Sequence, residues 1–299
     1  MPFGNEFLQN ATKAIDVKSI DTDVKFVEGI VKKAIKEMGK DASAVDVYLH
    51  GSYANGVNTY FPSSVEICVE LKTKPFQSTL TDEYWVEHEL EYSPKQFFAE
   101  FLEAMNKVVN PTVCETNNKC VIVPKHATLK HVVEITPCFS YTLTTENGAE
   151  FRGIILHDHK TGRDIASFPK LHKKNGETKD LKTGGNFKRM VRLFKTIRQI
   201  NTRETAEEDL LVPARGYFIE CLLFNVPDRL FVGGDLHDVF LKIINFLIHA
   251  DIHDFACQNL VWHLFSTANE FWREKEASKF ITVVKVFYHT FDPERSYLA

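Results

Sequence analysis

A chain of 299 residues, 44% hydrophobic and 25% charged, is long enough to bury a sizeable core and too apolar to be a disordered segment. No apolar run approaches the roughly 18 residues of a membrane-spanning helix, and the six scattered cysteines form no Cys-x-x-Cys pair and fit no common zinc spacing. The net charge of −4 speaks against bulk attraction to nucleic acid. Between Lys170 and Arg198, however, ten Lys and Arg face two acidic residues, a local +8 that suits one site for an anionic ligand. The first residues, Met1 to Glu6, have no basic start and no apolar signal region, so a cytoplasmic location is expected.

In chain order, Val24, Val27, Ile30, Val31, Ala34 and Ile35 predict a helix over 23–38, which Gly39 ends. Alternation over Val45 to Leu49 predicts a strand, and Gly51-Ser52 a turn after it. A second strand is expected over Ser64 to Leu71, with Val65, Ile67, Val69 and Leu71 on one face and Ser64, Glu66, Cys68 and Glu70 on the other. Residues 94–110 suit a helix with Phe97, Phe98, Phe101, Leu102 and Met105 inward. Cys120 to Val123, His131 to Thr136 and Gly153 to Leu156 read as strands.

Thr183-Gly184-Gly185-Asn186 is a breaker, and strand signals fade beyond it. Phe187, Met190, Val191, Phe194 and Ile197 form an apolar helical stripe, and further helices are expected at 217–224, 239–248, 260–272 and 280–287. The expected fold class is α+β: a mixed-sheet lobe over 1–182, a helical lobe over 183–299, and a ligand cleft between them.

The chemistry-bearing residues are His50-Gly51-Ser52-Tyr53-Ala54-Asn55-Gly56, then Ser64-Val65-Glu66, then Glu134-Ile135-Thr136-Pro137. A Gly-Ser turn allows close backbone approach to phosphates, and carboxylates at i and i+2 of a strand face the same way, about 6–7 Å apart. This order resembles the polymerase-beta-type nucleotidyltransferases. Asn186 to Lys195 and Ala214-Arg215-Gly216-Tyr217 narrow the likeness to bacterial cyclic-oligonucleotide synthases, relatives of cyclic GMP-AMP synthase and oligoadenylate synthase. The resemblance covers about residues 24 to 287.

The resemblance implies a palm-like nucleotidyltransferase lobe and a Mg²⁺ (or Mn²⁺) cofactor held by Glu66 and Glu134. Ser64 stands where the family has its first acidic residue, so the site has one formal negative charge fewer. Gly51, Ser52 and Lys195 would hold the triphosphate. Lys188, Arg192 and Lys195 are expected on one helix face, opposite the apolar stripe. Tyr217 would stack on a base, and Gly216 stands where the family usually has a phosphate-contacting serine. Glu70 lies roughly 13 Å from Glu66 along the strand, too far to join the same cation.

The implied substrates are nucleoside triphosphates, and the implied product is a cyclic or short linear oligonucleotide signal of bacterial antiphage defence. A downstream effector or activating protein is a further implied partner; neither a membrane nor a nucleic acid is required. Two readings stay open: an active nucleotidyltransferase, or a nucleotide-binding, regulatory or scaffold protein that keeps the fold with catalysis impaired or lost.

Overall fold

The computed structural model describes residues 3–61, 63–80, 91–109, 114–125, 129–204, 214–265 and 272–298. The chain forms two compact units. One comprises Asp16–Ala54 and Ser63–Lys170, and the other Met1–Ile15, Asn55–Pro62 and Leu171–Ala299. The break thus falls at Lys170/Leu171 rather than 182/183, and two early segments join the helical unit.

The first unit is built on a seven-stranded sheet. Strands β1 (Val45–His50), β2 (Val65–Leu80), β5 (Val133–Thr145), β4 (Val121–Val123) and β3 (Glu115–Thr116) lie in that order, and β6 (Glu150–Asp158) pairs with the far half of β5 and with β7 (Arg163–Ser167). Only β2 and β5 run parallel among these neighbours. Such a pair needs a long crossover; helix α4 (Pro94–Val108) lies in it and packs on β5 and on α2 (Asp21–Glu37). Ser93 and Gln96 close a capping box that fixes where α4 begins. Val27, Val31 and Ile35 of α2 and Phe97, Phe101 and Met105 of α4 are fully buried, as are Val65, Ile67 and Val69 of β2.

The second unit holds α1 (Asn5–Thr12), most of α5 (Pro169–Lys182), and α6 (Asn186–Glu204), α7 (Gly216–Phe224), α8 (Leu236–His249) and α9 (Glu274–Thr290). The expected stripe of α6 is buried throughout. Gly184 and Gly185, at φ +60° and +84°, make the turn between α5 and α6, a conformation that favours glycine. The helix expected over 260–272 does not form where the structure describes it. Leu260 sits at φ +60°, and the chain doubles back so that Cys257 N–H donates to the Trp262 carbonyl and Ala256 bridges to His263. Residues 266–271 of that expectation lie outside the described residues.

A charged group sits inside the apolar run of α7. Glu220, 4% exposed, accepts from Lys195 Nζ on α6 at 2.6 Å, His172 Nε2 on α5 at 2.8 Å and Asn55 Nδ2 at 2.9 Å. One carboxylate thereby ties three segments together. Burial alone pushes its carboxyl up, but the Lys195 charge and the His172 and Lys195 hydrogen bonds outweigh it and hold the group down, at about 2. Because the folded value lies below the ordinary one of 4.5, this stabilisation is complete above pH 4.5 and is lost as pH falls towards 2. The expected loss is about 3 kcal/mol. Urea titrations between pH 2 and 5 should show it in the parent protein, and Glu220→Gln should lack that part of the acid dependence.

Candidate active site

Strand pairing aligns three chemistry-bearing residues in one row. His50 on β1 is the register partner of Glu66 on β2, and Glu66 is the partner of Glu134 on β5. Register partners point to the same sheet face, with strands about 4.8 Å apart. The two carboxylates expected from sequence are therefore direct neighbours. Ser64 immediately precedes β2, and Val65 N–H extends the ladder to the Val132 carbonyl at 2.8 Å. An extended chain there gives Ser64 the face of Glu66.

The Gly-Ser turn opens the short helix α3 (Gly51–Asn55). Gly51 has φ +66°, and a Cβ there would come within 1.7 Å of Glu66 Oε2. Glycine is thus required twice over, by backbone conformation and by the carboxylate lying against it. Ser52 N–H donates to the same Oε2 at a long 3.4 Å. Glu134 Oε2 accepts from Asn117 Nδ2 at 3.4 Å. Glu70 is buried and engaged elsewhere, accepting from Ser140 Oγ and Lys170 Nζ, each at 2.8 Å. It takes no part in the row, as its distance along the strand requires.

His50 was not singled out from sequence. Burial pushes its imidazole down, but neighbouring Cys68, Glu66 and Glu134 outweigh that and raise it to about 9. A negative field that holds a proton there also attracts a cation. The donor set of two carboxylates and one hydroxyl is hard and oxygen-rich, so its chemistry fits a divalent cation, with one carboxylate fewer than the family pattern. Among the described residues, the one group whose ligand atoms already converge is Asp235, His237 and Asp238, largely exposed in the helical unit.

In the helical unit, the α6 face that carries Arg192 and Lys195 is covered. Arg192 is 6% exposed and donates from Nε to the Thr12 carbonyl at 2.7 Å and from Nη1 to the Gly56 carbonyl at 2.5 Å. Lys195 is 5% exposed and paired with Glu220. Helix α1, the Gly56 segment and α7 pack on that face. Lys188 is half-buried; its Nζ lies 3.7 Å from where a Cβ on Gly56 would stand.

A Cβ on Gly216 would reach 3.1 Å from Lys195 Nζ, so the position of the absent serine borders that ammonium. Tyr217, 37% exposed, stacks on His172 with centroids 4.9 Å apart and an interplanar angle of 25°. Its hydroxyl accepts from Asn259 Nδ2 at 3.3 Å. Sequence reading passed over Glu220 and His172. The available signal was a lone carboxylate inside Phe218-Ile219-Glu220-Cys221-Leu222-Leu223, since such a residue is buried only when paired.

Residues 174–289 match the cGAS/DncV-like nucleotidyltransferase C-terminal helical domain. The chain is 31% identical over 243 residues to the cyclic UMP-AMP synthase of Rhodothermus marinus, covering 79% of this chain and 82% of that protein. It is 30% identical over 257 residues to a cyclic dipurine nucleotide synthase of Elizabethkingia meningoseptica, covering 81% and 85%. The solved structure of the Rhodothermus marinus CdnE c-UMP-AMP synthase with Apcpp and Upnpp superposes with a TM-score of 0.79 at 26% identity, covering 99% of each chain. The Elizabethkingia meningoseptica CdnE cyclic dinucleotide synthase shares the fold, with a TM-score of 0.77 at 24% identity over 95% of this chain and 98% of that one. A carboxylate pair beside a Gly-Ser turn, a matching helical domain and these relatives together make the chain a member of the cGAS/DncV-like nucleotidyltransferase family.

Proposed function

We propose that the protein is a Mg²⁺- or Mn²⁺-dependent nucleotidyltransferase that joins nucleoside triphosphates into a cyclic or short linear oligonucleotide. The observation that carries this reading is the register pairing of Glu66 with Glu134 beside the Gly51-Ser52 turn, in a chain of this family. Glu66 and Glu134 hold the cation, and Ser64 offers a neutral hydroxyl where a carboxylate is missing. A bound divalent cation would neutralise triphosphate charge and make the attacking hydroxyl more acidic.

Gly51 lets the backbone approach the triphosphate, and Ser52 offers its N–H and hydroxyl to phosphate oxygens. Lys188 supplies positive charge to the triphosphate, and Lys195, which the family resemblance also assigns to it, shares its charge with Glu220. Arg192, committed to two carbonyls, holds the Gly56 segment for them. Tyr217, exposed and backed by His172, gives a base a stacking face. A 2′- or 3′-hydroxyl attacks the α-phosphorus, its proton passes to Glu134, the new P–O bond forms, and the bond to the β-phosphate breaks to release pyrophosphate. The product acts as a signal to a downstream effector in bacterial antiphage defence, within the cytoplasm. No described helix is long and apolar enough to cross a membrane.

Ser64, together with the Glu220 carboxylate on Lys195, favours a second reading: a fold that binds nucleotide and has lost catalysis. One assay separates them. With labelled triphosphates and Mg²⁺ or Mn²⁺, the enzyme reading expects pyrophosphate release that drops at least about 100-fold in Glu66→Ala and Glu134→Ala, a loss of several kcal/mol. Ser64→Asp should raise the rate at limiting Mg²⁺ about tenfold. A silent parent that still binds triphosphate, with a silent Ser64→Asp variant, would establish the second reading. Gly51→Ala should cut kcat/KM at least about tenfold while leaving the circular dichroism spectrum unchanged, because its Cβ collides with Glu66.

A further inference from the structure

The buried Glu220 carboxylate reaches two of the residues given ligand contacts above, one directly and one through an imidazole. We propose that Glu220 is a positioning residue, which sets the Lys195 ammonium for the triphosphate and, through His172, the Tyr217 ring for the base. The inference rests on the reading above, in which Lys195 meets phosphate and Tyr217 meets a base.

The two carboxylate oxygens have separate tasks. Oε2 accepts from His172 Nε2 at 2.8 Å and from Asn55 Nδ2 at 2.9 Å. Two donors on that oxygen fix the plane of the group, so Oε1 is held in place for Lys195 Nζ, 2.6 Å away. An ammonium has three N–H groups, and among the described residues Glu220 is the one hydrogen-bond partner of this one. The lysine stem also lies against Gly216, the first residue of α7, where a Cβ would stand 3.1 Å from both Cε and Nζ. Bounded by the Glu220 carboxylate and by that glycine, the ammonium loses its rotamer freedom before a ligand arrives and keeps two donors to offer.

The second arm runs through His172. An ionised carboxylate only accepts, so Nε2 carries the proton of the bond to Glu220. Nδ1 is shut off from solvent and has no hydrogen-bond partner. Gln258 Nε2 donates to the His172 carbonyl and so holds the backbone, not the ring. The Glu220 bond is thus the polar contact that fixes the rotation of the imidazole. Tyr217 stacks on that imidazole, 4.9 Å between centroids and 25° between planes, and remains 37% exposed. A ring that turned would take away the plane on which the tyrosine rests.

Dissociation constants are measured on the full chain with Mg²⁺, for inorganic tripolyphosphate, which has no base, and for α,β-methylene ATP and α,β-imido UTP, which cannot be transferred. Lys195→Ala should weaken all three by at least about tenfold, the scale of one hydrogen bond to a charged group. Tyr217→Ala should weaken the two nucleotides about tenfold and leave tripolyphosphate binding as it was. Glu220→Gln should combine the two patterns, with tripolyphosphate about tenfold weaker and the nucleotides about 100-fold weaker. His172→Gln, which retains the Lys195–Glu220 pair, should reproduce the pattern of Tyr217→Ala, and it keeps the inference testable if Glu220→Gln fails to fold. A purely structural carboxylate would not split nucleotide from tripolyphosphate in this way. A folded Glu220→Gln protein that binds tripolyphosphate as tightly as the parent, or more tightly, overturns the inference, as does a folded His172→Gln protein with parental nucleotide affinity. Losses in Lys195→Ala and Tyr217→Ala would then leave the reading of the ligand contacts standing. A parent that binds none of the three, or parental affinities in Lys195→Ala and Tyr217→Ala, overturns both.

Discussion

The parallel pairing of β2 with β5 is the constraint on which the candidate site depends. It sets Glu66 opposite Glu134, and the antiparallel pairing of β1 with β2 then sets His50 opposite Glu66. A slip of one residue would turn every side chain of a strand to the other face. The buried row Val65, Ile67, Val69 and Leu71 forbids that slip, because those residues would exchange with Glu66, Cys68 and Glu70. Apolar burial on one face thus fixes the carboxylate geometry on the other.

The helical unit solves a different problem. Arg192 and Lys195 are among the cations it keeps almost wholly buried, and each must be satisfied. Arg192 uses its planar donors on two backbone carbonyls, Thr12 and Gly56, which pin an N-terminal helix and a loop to α6. Lys195 uses Glu220, which His172 and Asn55 also share. The basic character evident along this segment is therefore partly structural, and its local +8 overstates the charge that faces a ligand.

Strands β1, β2, β4, β5 and β6, helices α2, α4 and α6, the Gly-Ser turn and both carboxylates were legible in the sequence, because each leaves a periodic or motif-like trace; the short strands β3 and β7 left none. Helix α5 left none: Lys173, Lys174, Glu177 and Lys182 give it no apolar stripe, and its buried His172 and Lys179 are polar. The described part of the expected helix, residues 260–265, misled because the chain there doubles back on Phe255 to Cys257 rather than running along a helix. The burial of Arg192 and Lys195 was invisible because it depends on segments far away in sequence that meet α6 only after folding. His50 shows its position only through strand register, which a single strand's pattern does not contain.

The same β2–β5 pairing has a kinetic consequence. Glu66 and Glu134 lie about seventy residues apart, and parallel strands meet only after the intervening chain has crossed over, so their contact is of high sequence separation and slow to form. No fragment ending before β5 can present the pair. While the chain is being synthesised, the acidic row comes into existence only once β5 has emerged, so a truncated product presents neither half of the site in working order.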